Sequence, residues 1–298
     1  MPVVAGFGDN VIDRFLDRGV DYPGGNCVNF AVFAQQRGAD ASYLGVFGSD
    51  DDGEYIRSVL TSLAIDVSRS VVRRGETGYA EVEVIDGERH FRGGNLGGVT
   101  TAEPLILHEG DLNHLSSYSL VHSSVYSNSE SELPKLAGLG PLVSYDLSSE
   151  DKYRSSRYLE RVAPYVDLAL VSCSNLTESE TEHDLVTIAS HGVGLALGTR
   201  GTAGAILFDG RVFHRIDAVP IADPTFIKDT MGCGDAFLAA FSVEMLRAGW
   251  SSNRTVDDSA VMRALQEAST FAMQRCLVEG AFGHGRVRAP ASGEFGVS

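Results

Sequence analysis

Short apolar runs alternate along this chain with longer stretches in which apolar residues recur at helical spacing. Residues 3–8 form the first run, ending in Gly8, and residues 42–48 form the second. Residues 120–124, 142–146, 168–172 and 193–197 read as further core strands, the first three separated by helix-sized segments. Runs of this length, bounded by turn residues, read as buried strands. Strand alternating with helix predicts a mostly parallel sheet with right-handed crossovers. Helical patterns occupy residues 54–64, 236–250 and 261–276. Residues 79–85 break the scheme: Glu81 and Glu83 alternate with Val82 and Val84. Asp86-Gly87 is a hairpin turn signal, and residues 88–92 return. Alternation leaves one face wet, which suits a separate small sheet better than a parallel core. Residues 14–22, short and mixed, are expected to join it, so its strands fall within 14–22 and 76–101. Residues 67–72 are β-prone, and a second hairpin is expected over 205–208 and 211–214. The glycine-rich stretch 93–98 reads as a hinge or ligand-facing loop. From Gly283 onward the Gly-, Arg- and Pro-containing chain is expected to fray.

Composition narrows the class. A chain of 298 residues with 43% hydrophobic content fits one large α/β domain, 1–298, with a small appendage. Its net charge of −16 repels nucleic acid and anionic membrane surfaces. No apolar run approaches the roughly 20 residues of a membrane span, and no basic leader precedes an apolar segment. Cys27, Cys173, Cys233 and Cys276 are far apart and lack paired metal spacing, so a reduced, cytoplasmic protein is expected.

The stretch with the most chemistry is Asp229-Thr230-Met231-Gly232-Cys233-Gly234-Asp235-Ala236-Phe237. It is a glycine-rich turn opening a helix. Gly232 and Gly234 let backbone N–H groups approach a ligand, and the helix start leaves further N–H groups for an anion. Asp235 in that turn reads either as a first-turn residue favoured by the helix dipole or as a base taking a proton from an attacking hydroxyl. Past the first strand, Asp9, Asn10 and Asp13 stand where open α/β sheets bind ligands, although Asp and Asn also favour bends. In Pro23-Gly24-Gly25-Asn26-Cys27-Val28-Asn29 the glycines free the backbone and Asn26 can cap the following helix. Asn29 is one polar residue more than a cap needs. The acidic run 50–52 reads as a helix N-cap region rather than a cation site. Tyr126 and Asp146, at strand ends, are further pocket candidates.

These motifs, in this order, resemble the ribokinase-like (PfkB) family of sugar kinases. Asp229 to Asp235 resembles that family's D-T-x-G-A-G-D signature, with Cys233 in place of the usual Ala. Gly24, Gly25 and Asn29 match its G-G-x-x-x-N signature. The resemblance implies a three-layer α/β/α domain with a mostly parallel sheet and a β lid. It implies that Asp235 is the catalytic base and that the amides of Gly232, Cys233 and Gly234 receive the transferred phosphoryl group. It implies sugar contacts from Asp13, with Asp9 and Asn10 in the same pocket, and from Gly24, Gly25, Asn26 and Asn29. Arg92, on the lid hairpin, reads either as a solvated surface residue or as one that reaches the substrate. Asn175 and Glu178 resemble the N-x-x-E motif, which orders Mg²⁺ through water. ATP is expected near Gly198, Thr199, Gly201, Asp229, Thr230 and Gly280. Ala196 stands where the family usually has Thr, which removes one hydroxyl from the nucleotide edge; Thr199 or Arg200 is positioned to replace it. Among family members, Gly8-Asp9-Asn10, Tyr22-Pro23-Gly24-Gly25-Asn26 and Gly45-Val46-Phe47-Gly48 look most like fructoselysine 6-kinases. The resemblance thus implies transfer of the ATP γ-phosphate to a ketosamine 6-hydroxyl, the alternatives being a kinase of ribose, fructose, 2-keto-3-deoxygluconate or a nucleoside, or a catalytically silent ligand-sensing protein on the same fold; the exposed β face of the lid hairpin is expected to pair two copies into a homodimer.

Overall fold

The computed structural model describes residues 1–85 and 88–288. Its strands are β1 (Val3–Gly8), β2 (Val11–Phe15), β3 (Val20–Gly24), β4 (Asp40–Gly48), β5 (Val71–Arg73), β6 (Tyr79–Ile85), β7 (Glu88–Gly94), β8 (Leu120–Ser124), β9 (Leu142–Asp146), β10 (Leu168–Ser172), β11 (Leu195–Thr199), β12 (Ala205–Phe208), β13 (Phe213–Ile216) and β14 (Arg286–Val287). Its α-helices are α1 (Asn26–Gln36), α2 (Asp51–Ser62), α3 (Gly98–Ala102), α4 (Glu109–Leu115), α5 (Leu133–Leu136), α6 (Ser156–Val162), α7 (Glu178–Ser190), α8 (Cys233–Arg247) and α9 (Asp258–Arg275).

The large sheet runs β13-β12-β11-β10-β9-β8-β1-β4-β5. It is parallel from β11 to β5, and the β12–β13 hairpin adds an antiparallel edge. Both faces are covered, which is why β8 and β9 are buried throughout although they carry His122, Ser123, Ser124, Ser144 and Asp146. One face packs on α1, α8 and α9 through Phe30, Phe33, Phe241, Leu265 and Phe271. The other packs Phe7, Leu44, Tyr145, Leu159 and Leu185. The strand order turns back at β1, between β8 and β4, so a crevice opens beyond the carboxyl ends of β1 and β8. Gly6 lets α1 lie close on β1: a Cβ there would sit 2.0 Å from the Cys27 carbonyl oxygen.

The small sheet, β14-β3-β2-β6-β7, roofs that crevice. Phe15, Tyr22 and Val82 form its own core. Residues 14–22 belong to two of its strands, β2 and β3, and the chain reverses between them at 16–19. One expectation is corrected. The chain beyond Gly283 does not fray at once: Arg286 and Val287 pair with Asp21 and Val20, and Arg288 Nη2 donates to Asp21 Oδ1 at 2.6 Å. The Asp86-Gly87 turn lies outside the described residues, as do residues 289–298. The second hairpin begins late, at Phe213, because Asp209 Oδ1 takes the Arg211 and Val212 N–H groups in a turn.

Candidate active site

The crevice is a cleft of about 1090 Å³, larger than a single sugar ring requires. Asp9 leaves the end of β1 and is 4% exposed. Its Oδ1 accepts from the Ser124 and Ser127 hydroxyls, each at 2.8 Å, and its Oδ2 accepts from the Asn26 N–H at 2.6 Å. Asp9 therefore ties the Gly25-Asn26 turn to the end of β8. Gly25 has φ 106°, and a Cβ there would lie 2.8 Å from the Asn10 Cα. Asn10 donates to Tyr43 Oη at 2.8 Å and to the Val46 carbonyl at 2.7 Å; among the described residues its Oδ1 has no donor. Asp13 lies on β2 with its carboxylate against Gly24, where a Cβ would fall 2.5 Å from Oδ2. Asn26 is not the cap expected of it. Gly25 occupies that position, so Asn26 is already helical, and its Nδ2 donates to Asp146 Oδ2 at 2.7 Å.

The start of α8 faces these groups. Gly232 is the N-cap in the left-handed region at φ 70°, backed by Ala281, whose Cβ a Gly232 side chain would meet at 2.8 Å. A Cβ on Gly234 would meet nothing within 4 Å, so there is room for a ligand over that turn. The Gly234 and Asp235 N–H groups have no acceptor among the described residues. Open amides at a helix start fit a phosphate. Thr230 and Cys233 line the cleft as well, and Asp229 Oδ1 holds the turn by accepting from the Met231 N–H at 2.9 Å.

Asp235 is 7% exposed and its Oδ2 accepts from Asn29 Nδ2 at 2.7 Å. Burial is the main cause that pushes its carboxyl well above the usual range. The charge of Asp146 adds to this, with Asp9 and Asp13 behind it, while the Asn29 bond opposes. Burial likewise raises Asp146, to about 6, with Asp9 adding and the Ser148 and Asn26 bonds opposing. A raised carboxylate is better matched to accepting a proton near neutral pH. Activity that needs ionised Asp235 should therefore fall on the acid side at a pH above the ordinary Asp range. Asp146→Asn removes one negative neighbour, lowers the Asp235 pKa and should move that acid limb of kcat/KM to lower pH. A limb that stays in place or moves up in a pH–rate profile contradicts this coupling.

Some expected residues stand elsewhere. Arg92 is not in the cleft: its neighbours Phe91 and Gly93 line it, while Arg92 Nε donates to Glu83 Oε2 at 2.7 Å on the exposed lid. Asn175 and Glu178 are exposed and do not line the cleft; Glu178 Oε1 accepts from Arg215 Nε at 3.0 Å. Thr199 lines the cleft at the end of β11, whereas Gly198 lies against Thr181 and Gly201 (φ 56°) starts a 3₁₀ turn. Gly280 packs on the Tyr22 ring, and Ala196 is fully buried. Among the described residues, the one grouping of three metal-capable side chains, Asp209, His214 and Asp258, lies outside the cleft lining. Sequence reasoning did not single out Ser124 and Ser127, which hold Asp9, or Glu130, Glu150, Lys152 and Tyr153 at the cleft mouth. The aromatic and charged residues just past β9 were the available signal.

Residues 16–282 match the pfkB family carbohydrate kinase description. The chain is 38% identical over 280 residues to the fructosamine kinase FrlD of Bacillus subtilis, covering 93% of this chain and 92% of that protein. It is 30% identical over 272 residues to the fructoselysine 6-kinase of Escherichia coli, covering 91% and 98%. Its fold superposes on the Xylella fastidiosa fructokinase with bound ATP at a TM-score of 0.77, with 16% identity and 94% of each chain covered. With the family match spanning nearly the whole chain, and the glycine-walled helix start and its carboxylate in place, this protein belongs to the pfkB family of carbohydrate kinases.

Proposed function

We propose that this kinase transfers the γ-phosphate of ATP to the 6-hydroxyl of a ketosamine, converting fructoselysine to fructoselysine 6-phosphate. The observation that carries the chemistry is Asp235 bonded to Asn29 beneath the open amides of α8. The substrate follows from similarity to fructosamine and fructoselysine kinases over more than nine-tenths of the chain. In this reading Asp13, Asn29 and the Gly24-Gly25 backbone orient the sugar. Asn10 and Asn29 offer their Oδ1 atoms to sugar hydroxyls. Asn29 engages one oxygen of Asp235, and the other takes the proton of O6. As O6 bonds to the γ-phosphorus, the bond to the β,γ-bridging oxygen breaks and ADP leaves. The Gly234 and Asp235 N–H groups donate to the phosphoryl oxygens, where charge is greatest in the transition state.

The lining contains six carboxylates, at Asp9, Asp13, Glu130, Asp146, Glu150 and Asp235, so polyphosphate needs a counter-charge. Mg²⁺ carried with ATP would supply it, since Lys152 is the single cation among the described residues of the lining. Ser172 and Thr199, paired at the ends of β10 and β11, and Thr230 are hydroxyl-bearing residues of the cleft that would face the nucleotide in this reading.

A screen of ketosamines, fructose, ribose, 2-keto-3-deoxygluconate and adenosine, read by ADP release, tests the substrate. Fructoselysine should give the highest kcat/KM. Strong turnover of ribose or adenosine with none on fructoselysine overturns the assignment. Pairing of two copies through the lid and a cytoplasmic location belong to the same reading. The position of β7 at the edge of the lid sheet supports the first. Among the described residues no helix is long and apolar enough to cross a membrane.

A further inference from the structure

The cleft continues past Asp146 into a rim that the phosphoryl transfer does not use. Ser148, Glu150, Lys152 and Tyr153 follow β9, and Tyr126 follows β8. Tyr126 Oη lies 2.6 Å from Ser148 Oγ and donates to Glu150 Oε1 at 3.3 Å. The Tyr126 and Tyr153 rings meet edge to face, 6.5 Å between centroids. Lys152 Nζ lies 2.7 Å from Glu150 Oε2 and 4.6 Å from the centre of the Tyr153 ring. The rim thus already seats an ammonium group, the chain's own, on a carboxylate and an aromatic face.

We propose that this rim is the subsite for the amino-acid end of the ketosamine, with Glu150 accepting from its ammonium and Lys152 donating to its carboxylate. The inference rests on the ketosamine reading above and deepens it. It separates adducts of free amino acids from adducts of simple amines and from free sugar.

Three features carry it. The rim joins the sugar floor through the short segment from Asp146 to Glu150, so a tail leaving the sugar is led onto it. Lys152 is the single cation among the described residues lining the cleft, and it stands beside a carboxylate rather than over the phosphate cradle. A neighbouring plus and minus charge is the complement of a zwitterion. In the free protein the two satisfy each other. Their side chains are 62% and 42% exposed, and exposed pairs of this kind stabilise little. The pair therefore opens at low cost, and two charge-assisted contacts to the ligand replace one. The Tyr126 and Tyr153 rings offer apolar surface to the methylene stem between sugar and head group.

The test compares kcat and KM for three acceptors on the wild-type chain, Lys152→Met and Glu150→Gln. The acceptors are fructoselysine, its Nα-acetyl form, which lacks the α-ammonium, and the fructose adduct of cadaverine, which lacks the carboxylate. Lys152→Met should lower the preference for fructoselysine over the cadaverine adduct by about tenfold, through KM, as expected for losing a bond to a charged group. Glu150→Gln should lower the preference for fructoselysine over the Nα-acetyl form to a similar extent. Each variant should spare the other preference, and a merely structural role gives no such crossed pattern. Both preferences unchanged, or all three acceptors weakened equally, overturns the subsite while the ketosamine kinase stands. Wild-type turnover of fructose with none of the three adducts overturns both.

Discussion

Asp235→Asn should fold normally and lose about 100- to 10,000-fold in kcat, the usual range for removing a general base. The substitution keeps the shape and the acceptor for Asn29 Nδ2, now 2.7 Å from Oδ2. The helix start and its amides are untouched, so KM should change much less than kcat. Stability should move the other way. Burial raises the Asp235 pKa in the folded chain above its unfolded value. The stability contributed by such a group is present below the unfolded pKa and is lost as pH rises through the folded one. Above the ordinary Asp range the buried carboxyl is therefore a net cost that Asn does not carry. The variant should melt no lower than the wild type, and higher as the pH is raised. A kcat within about threefold of wild type removes Asp235 from the role of base; a melting temperature well below wild type contradicts the account of its burial.

Gly6→Ala should cost about 3 kcal/mol or more, the upper part of the range for overpacking a core. Gly6 is in the middle of β1, paired to Tyr43 on one side and His122 on the other. The added methyl would lie 2.0 Å from the Cys27 carbonyl oxygen and 2.9 Å from its carbon. Both are backbone atoms of the first turn of α1, so no side-chain rotation gives relief. Either β1 leaves its register or α1 lifts. Lifting α1 carries Asn26 and Asn29 away from Asp146 and Asp235, so the residual folded enzyme should bind sugar poorly as well. A loss of unfolding free energy of less than about 0.5 kcal/mol by denaturant titration, the size of a neutral surface change, would mean that helix and strand are not this close.

What could be read in advance was what local pattern carries. Residues 120–124, 142–146 and 168–172 are legible as strands to the residue, because each opens on buried apolar residues, Leu120-Val121, Leu142-Val143 and Leu168 to Val171, and is set off from the next by a helix-sized segment. The turn at Gly232–Asp235 was legible because the spacing of glycine and acid is itself the chemistry. The role of Asp9 was not, since the serines that hold it lie 115 and 118 residues away. Arg92 was misjudged because nothing in the sequence says which side of β7 faces the cleft; the irregularity opposite, at Glu81/Val82, also shifts the pairing. Asn26 looked like a cap because cap residues and ligand-facing residues are chemically alike; only the helix boundary separates them.

The two-residue strand β14 gave no periodicity to read, yet it closes the edge of the lid beside β3. Nascent chain emerging in order would build the parallel sheet, the sugar floor and the phosphate turn before this strand is made. The roof is then finished only once residues 286 and 287 are made, so a chain that stops short of them should be unable to close over a sugar, and proteolytic trimming just past Gly283 should loosen the roof while leaving the main sheet intact.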